Sequence, residues 1–399
     1  YLTIQLAVFG FFGSVLARQM NDTFGVDLSW WGWALLAWAV VLGLSVLSVD
    51  VGAKVLGALM LAELSSLLLV SVAVLGRGGG PDGVDLAASF APRHVLAGGL
   101  TGSSGIALAF AFASYIGFEA TAIYGEESHD PERTVPRATY VAIGVITAVF
   151  AATSFAIVSG LGAGDVVARV NEISKVDGTP LADPAAVLFS VATDSVGHWL
   201  ATTMSWLVVS SLFAGLLAFQ NCSARYLFSL ARAGVLPAGL RRTNAFGGPA
   251  VASVTASVLT GAVIVGFAAD GLDPVVNLFY WTAGVAVIAV VLVEILVCAA
   301  VLVHFRRQVT GRAWWSTTVA PVFAGAGLLA GLYLLTSRFG LLAGTVPDGV
   351  DPATTRWRLN ATGWTLVGSP FAALLIGAAV GHAVSRVANR GSALAEVVG

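Results

Sequence analysis

Ala113-Ser114-Tyr115-Ile116-Gly117-Phe118-Glu119 ends a stretch that carries no acidic or basic side chain from Val95 to Phe118. Glu119 then stands alone, and Ala120-Thr121-Ala122-Ile123-Tyr124 follow before the paired acids Glu126 and Glu127. A lone acid at membrane depth costs roughly 2.5–3.5 kcal/mol on insertion scales, so it marks a functional interior position by default. Gly117 beside it weakens a helix and frees backbone groups, which lipid forbids unless they line a protein cavity. A helix broken towards a cavity is how secondary transporters hold a solute. The stretch therefore predicts a membrane-embedded solute site.

Composition agrees. Of 399 residues, 57% are hydrophobic and 11% charged, and the mean hydropathy is +0.87. A soluble domain carries about a quarter charged residues, so the chain reads as a polytopic membrane protein. A net charge of −2 argues against a nucleic-acid partner. Cys222 and Cys298 both fall in apolar spans and read as small core side chains rather than a disulfide or metal pair. The histidines (His94, His129, His198, His304, His382) show no metal-ligand spacing, and the sequence calls for no cofactor. Lys54 and Lys175 are the lysines among 20 basic residues, an arginine bias that says nothing about mechanism. The chain opens at Tyr1, already within apolar sequence and without a signal peptide, and reads as one whose beginning is missing.

Ten segments are apolar over the roughly 17–25 residues that cross a bilayer: 1–17, 28–49, 55–76, 95–124, 138–162, 199–224, 250–269, 274–303, 313–337 and 359–385. Each is expected to be helical, because the runs are too long and unalternating for barrel strands. No linker or soluble module interrupts them, so residues 1–399 read as a single transmembrane domain. Basic residues set the orientation. Lys54, Arg133, Arg137, Arg225, Arg232, Arg241, Arg242, Arg306, Arg307, Arg312, Arg386 and Arg390 fall on one face. Arg18, Arg77, Arg93, Arg169, Lys175, Arg338, Arg356 and Arg358 are spread over longer loops on the other. The first face is expected in the cytoplasm, with the C-terminus on that same side of the plasma membrane. In the long outer loop 163–198, Asp183-Pro184 predicts the start of a short capping helix.

The run from Tyr115 to Ala138 holds Tyr115-Ile116-Gly117-Phe118-Glu119, then Glu126-Glu127, Asp130-Pro131 and Pro136-Arg137. It resembles the signature of the amino acid–polyamine–organocation permeases. A second run, Asn221-Cys222-Ser223-Ala224-Arg225-Tyr226-Leu227-Phe228-Ser229-Leu230-Ala231-Arg232-Ala233-Gly234-Val235-Leu236-Pro237, resembles that family's eighth helix and the cytoplasmic loop after it. The resemblance implies an all-α fold of twelve helices in a five-plus-five inverted repeat with two more appended. It aligns Gly117-Phe118-Glu119 with the broken sixth helix and the segment from Tyr1 with the third, so the first two helices have no counterpart here. The family's Gly-rich first helix, which binds a substrate carboxylate, is thus unassigned. The resemblance also implies that backbone from Ser114 through Tyr115 and Ile116 to Gly117, with Phe118 beside it, receives a substrate amino group. Carbonyl ends of half-helices carry partial negative charge suited to an ammonium. The family's aromatic gate aligns with Ala113, next to Phe112.

Other polar residues within the spans are weighed individually. Glu63 lies nine residues beyond Lys54 and is followed by a dozen uncharged positions. An acid at that depth is a candidate proton carrier, and the resemblance implies that some proton-coupled members keep an ionisable residue in this fifth helix. The bland reading is a structural acid bonded to a neighbouring helix. Glu119 and Glu63 are the candidate coupling and gating acids. Ser210 and Ser211 stand where the family's eighth helix offers hydroxyls to a cation, though serines in membranes usually bond their own backbone. Trp281 and Thr282 line the pocket or anchor at the interface. Glu294 reads as pairing towards Arg306, and Gln5 and Thr3 as possible cavity residues.

These observations predict a secondary transporter for an amino acid or related organic amine, working by alternating access with protons as the partner ion. A channel or sensor, and a non-transporting fragment, are the alternatives. An embedded enzyme would need a catalytic cluster that no span supplies.

Overall fold

The computed structural model describes residues 1–47, 53–95, 107, 111–112, 114–123, 125, 128–173, 175–176, 179–180, 185–245, 247–307, 314–352 and 354–398. Helices α1 (Leu2–Phe24), α2 (Trp30–Val46) and α3 (Ala53–Gly76) come first, followed by short α4 (Leu86–Phe90) and α5 (Pro92–Val95). The single turn α6 (Ala120–Ile123) precedes the long α7 (Pro131–Leu161). Beyond it lie α8 (Val166–Ile173), α9 (Ala186–Ser195) and α10 (His198–Arg232). Helices α11 (Ala250–Ala269), α12 (Tyr280–Arg307), α13 (Ala320–Ser337), α14 (Phe339–Ala343) and α15 (Ala361–Val398) complete the bundle. An antiparallel ribbon, Lys175–Val176 against Thr179–Pro180, is confined to the loop after α8. The fold is an all-α polytopic membrane protein.

Among the described residues, eight helices are long and apolar enough to cross a bilayer. Trp30–Val46, at 17 residues, is a shorter ninth apolar helix, and much of 95–124 lies outside the described residues. Two spans begin wider than sequence predicts: Pro274–Phe279 and Trp315–Val319 are π-helical turns that feed α12 and α13. Asp273 explains the first of these entries. Its carboxylate accepts the Val275 and Val276 amides while Pro274 occupies the first helical position. The capping helix predicted after Asp183-Pro184 forms as α9, although those two residues lie outside the described ones. Helix α8 was not expected; it is short and packs beside α9.

Three apolar clusters hold the bundle. Phe9, Val41, Leu216 and Ile264 join α1, α2, α10 and α11. Ile288, Val291, Leu335 and Phe339 join α12, α13 and α14. Val70, Ala156, Ala192 and Leu200 join α3, α7, α9 and α10. Outward-facing side chains such as Val72, Tyr140, Phe323, Leu375 and Ile376 are mostly exposed, as a lipid-facing surface requires. At one end the loop after α3 lies on α7: the Gly80 amide donates to Ser159 O at 2.7 Å. A Cβ on Gly80 would fall 2.1 Å from Gly160 O, so only glycine fits this approach.

Candidate functional site

The break predicted at Gly117 is present. Residues 115–119 form successive turns instead of helix, and Gly117 has φ 111°, a region that L side chains rarely adopt. No atom lies within 4 Å of where its Cβ would be, so the space beside it is open. The turns close through Phe118 N–H to Tyr115 O and Ala120 N–H to Gly117 O. The Ile116 carbonyl accepts no hydrogen bond from the described residues. Ala113 lies outside them, as do Tyr124, Glu126 and Glu127.

Three anchors keep the broken segment in place. Tyr115 reaches α7, its hydroxyl 2.7 Å from Thr147 Oγ1 and its ring edge-on to Phe150. Thr147 donates its own proton to Ile143 O, so Tyr115 is the donor. On a second side, Phe112 sits over Gly331 of α13, where any Cβ would lie 2.5 Å from the ring, and Ile116 packs on the cluster that includes Ile288 and Phe339. The third anchor is Glu119. One carboxylate oxygen accepts the Tyr1 hydroxyl at 2.6 Å, and the other accepts the Gly117 amide at 2.9 Å. Tyr1 in turn stacks on Tyr226 of α10, with ring centroids 5.4 Å apart. Glu119 therefore ties the break to two spans at once.

A second polar group forms between α3 and α10. Ser210 Oγ lies 3.5 Å from Glu63 Oε1 and also donates to Leu207 O, while Ser211 supplies another hydroxyl to the same carboxylate. Glu63, Ser210 and Ser211, singled out separately in the sequence, thus meet. Trp281 shares the Ile116 cluster, but its indole N–H is used within the scaffold, donating to Ala343 O at 2.9 Å. Thr282 is buried and donates to Leu278 O. Glu294 forms no ion pair with Arg306 among the described residues; it lies within electrostatic reach of Glu119. Gln5 does not face a cavity. It is fully buried and donates to Gln220 Oε1 at 2.8 Å, and Gln220 donates to Ser253 O and Ser257 Oγ. Neither Cys222 nor Cys298 forms a disulfide.

Sequence reasoning missed Tyr1 and Tyr226. Tyr1 offered no signal beyond a polar ring at the start of an apolar run, because its partner lies 118 positions away.

A family model described as amino acid permease matches residues 1–370. The chain belongs to the amino acid permease family. This bears out the resemblance carried by the two motifs, and with the apolar helices it makes the chain an integral membrane protein. One relative is a branched-chain amino acid permease of Lactococcus lactis subsp. cremoris, 27% identical over 179 residues, which cover 44% of this chain and 35% of that protein. Another is an uncharacterized transporter of Legionella pneumophila subsp. pneumophila, 24% identical over 239 residues, covering 59% of this chain and 48% of that protein. The chain spans less than half the length of these curated relatives.

Proposed function

We propose that this permease-family chain moves an amino acid or a related organic amine across the plasma membrane as a secondary transporter. Its substrate amino group docks at the break between Ser114 and Phe118. The observation that carries this reading is Gly117, held at positive φ beside open space within an apolar bundle. There the Ile116 carbonyl is available to an ammonium, and half-helix carbonyls favour positive charge. Family membership and the name of the Lactococcus relative support an amino acid as the substrate class. Trp281, close to Ile116 through their shared cluster, bounds the side-chain pocket.

Transport proceeds by alternating access, with α1, α10 and α11 as scaffold and the broken segment as the moving part. Glu119 acts as a gate, since freeing it from Tyr1 releases the break from the scaffold. Glu63, with Ser210 and Ser211 against it, carries the coupled proton. The C-terminus lies in the cytoplasm. Uptake of radiolabelled amino acids into proteoliposomes holding the protein, with and without an imposed pH gradient, tests the reading. Accumulation above empty vesicles supports a transporter. Equilibration without accumulation would instead favour a channel, and no uptake would overturn the proposal.

A further inference from the structure

Where α3 and α7 end, and away from the break, a cavity of about 360 Å³ opens beneath α8 and α9. That is the small end of the range for ligand pockets, about 300–1,000 Å³. Its lining combines apolar Pro81, Leu161 and Ile173 with charged Arg169, Glu172 and Asp194. Below it the apolar cluster of α3, α7, α9 and α10 gives a packed floor.

The charges are arranged for exchange rather than for stability. Arg169 Nη1 lies 3.7 Å from Glu172 Oε2, with side chains 50% and 74% exposed. That separation is beyond hydrogen-bond length, and exposed pairs of this kind add little. An incoming carboxylate can take the guanidinium fork in two parallel hydrogen bonds at small loss. Arg77 donates to Asp194 O at 3.1 Å, so two guanidinium groups and two carboxylates meet here, and neither a simple anion nor a metal cation gains a net attraction. A molecule with both charges finds a partner for each, and Pro81, Leu161 and Ile173 suit an aliphatic side chain.

We infer that this cavity is an accessory site for an aliphatic α-amino acid, with Arg169 binding the carboxylate and Glu172 and Asp194 the ammonium. It is separate from the proposed transport site, because no residue of the broken segment lines it.

Ser190 also lines the cavity, so Ser190→Cys reports on it. The purified full chain in detergent is labelled with a polar maleimide over a range of L-leucine concentrations. The unsubstituted protein serves as blank, because Cys222 is buried and Cys298 lies within α12. L-Leucine should slow labelling of the S190C protein, and equally so when Gly117→Leu is added. Arg169→Gln should raise the protecting concentration about tenfold, as expected for loss of a charge-assisted hydrogen bond. Isocaproate and isoamylamine, each carrying one of the two charges, should protect poorly. Absence of protection by L-leucine would overturn the inference, as would protection that Arg169→Gln leaves unchanged. Protection abolished by Gly117→Leu would assign the effect to the broken segment and also overturn it.

Discussion

The broken segment around Gly117 and the Gln5–Gln220 network both place polar groups deep in an apolar bundle, yet they are built in opposite ways. Around Gln220 the helices are regular and the side chains closed off from solvent: Gln5, Gln220, Ser253 and Ser257 are essentially inaccessible. Ser45 joins them, donating to Asn221 Oδ1 at 3.1 Å and meeting Ser253 Oγ at the same distance. Around Gly117 the backbone is irregular, the residues from Tyr115 to Glu119 are all half-buried, and space is left open. Although Gln5 Oε1 has no partner among the described residues, amides and hydroxyls bonded between packed helices in a low-dielectric interior fix one arrangement. An irregular segment hung from a few side-chain anchors is able to take two. The contrast separates a part built to hold one shape from the part proposed to change it.

Gly117→Leu should break the contrast most severely. A leucine at φ 111° is strained by about 1–3 kcal/mol and fills the open space. Substrate binding should be abolished while the protein still inserts and folds, as equilibrium binding and size-exclusion profiles would show. Wild-type affinity in this variant would refute the assignment of the break as the site.

Gln220→Leu should do the reverse. It removes three hydrogen bonds and strands the Gln5 amide; at the modest worth of interhelical bonds in membranes the loss sums to about 2–3 kcal/mol. Thermal unfolding in detergent should fall by several degrees, with affinity retained below the transition. An unchanged melting temperature would mean that the network is not what holds the scaffold.

Tyr1→Phe sharpens the comparison at the join between the two regions. Its hydroxyl donates to a carboxylate, a bond worth about 1.5–3 kcal/mol when shielded and less here, where the pair is only half-buried. The ring stack on Tyr226 should survive, so stability should change little. The expected result is a shift in the inward–outward balance, read by spin-label distances between α6 and α10. An unchanged distance distribution would remove Glu119 from the gate.

Glu63→Gln should have the smallest effect on affinity and a selective one on coupling. Substrate exchange persists, but pH-driven accumulation in proteoliposomes is lost. A protonation site drives transport only if its affinity differs between the two states. Undiminished accumulation would make Glu63 structural and leave Glu119 as the next candidate.

Much of this architecture was legible because bilayer burial writes itself into long apolar runs, and because Gly117 and Glu119 interrupt one of them. Ser210 and Ser211 were legible only through the resemblance to the family's eighth helix, and nothing in the sequence said that Glu63 would face them. The Gln5 partner was not legible: it lies 215 positions away, and helical periodicity reports a face, never what covers it. Trp281 was expected at a pocket wall, and its bond to Ala343 O depends on how α14 folds back. The π-helical starts at Pro274 and Trp315 were equally hidden, since the same apolar composition suits either winding.

The contact of Gly80 with Ser159 and Gly160 makes a fulcrum. In the proposed transport cycle, a tilt of α3 against α7 that keeps this contact would turn about that point. α3 has 24 residues, about 36 Å at the usual rise, and a tilt of about 10° swings its free end by about 6 Å. That sweep exceeds the width of a water molecule and approaches that of an amino acid backbone. A glycine at the rim of the bundle would then set the leverage with which Glu63, part-way along the arm, is moved against α10.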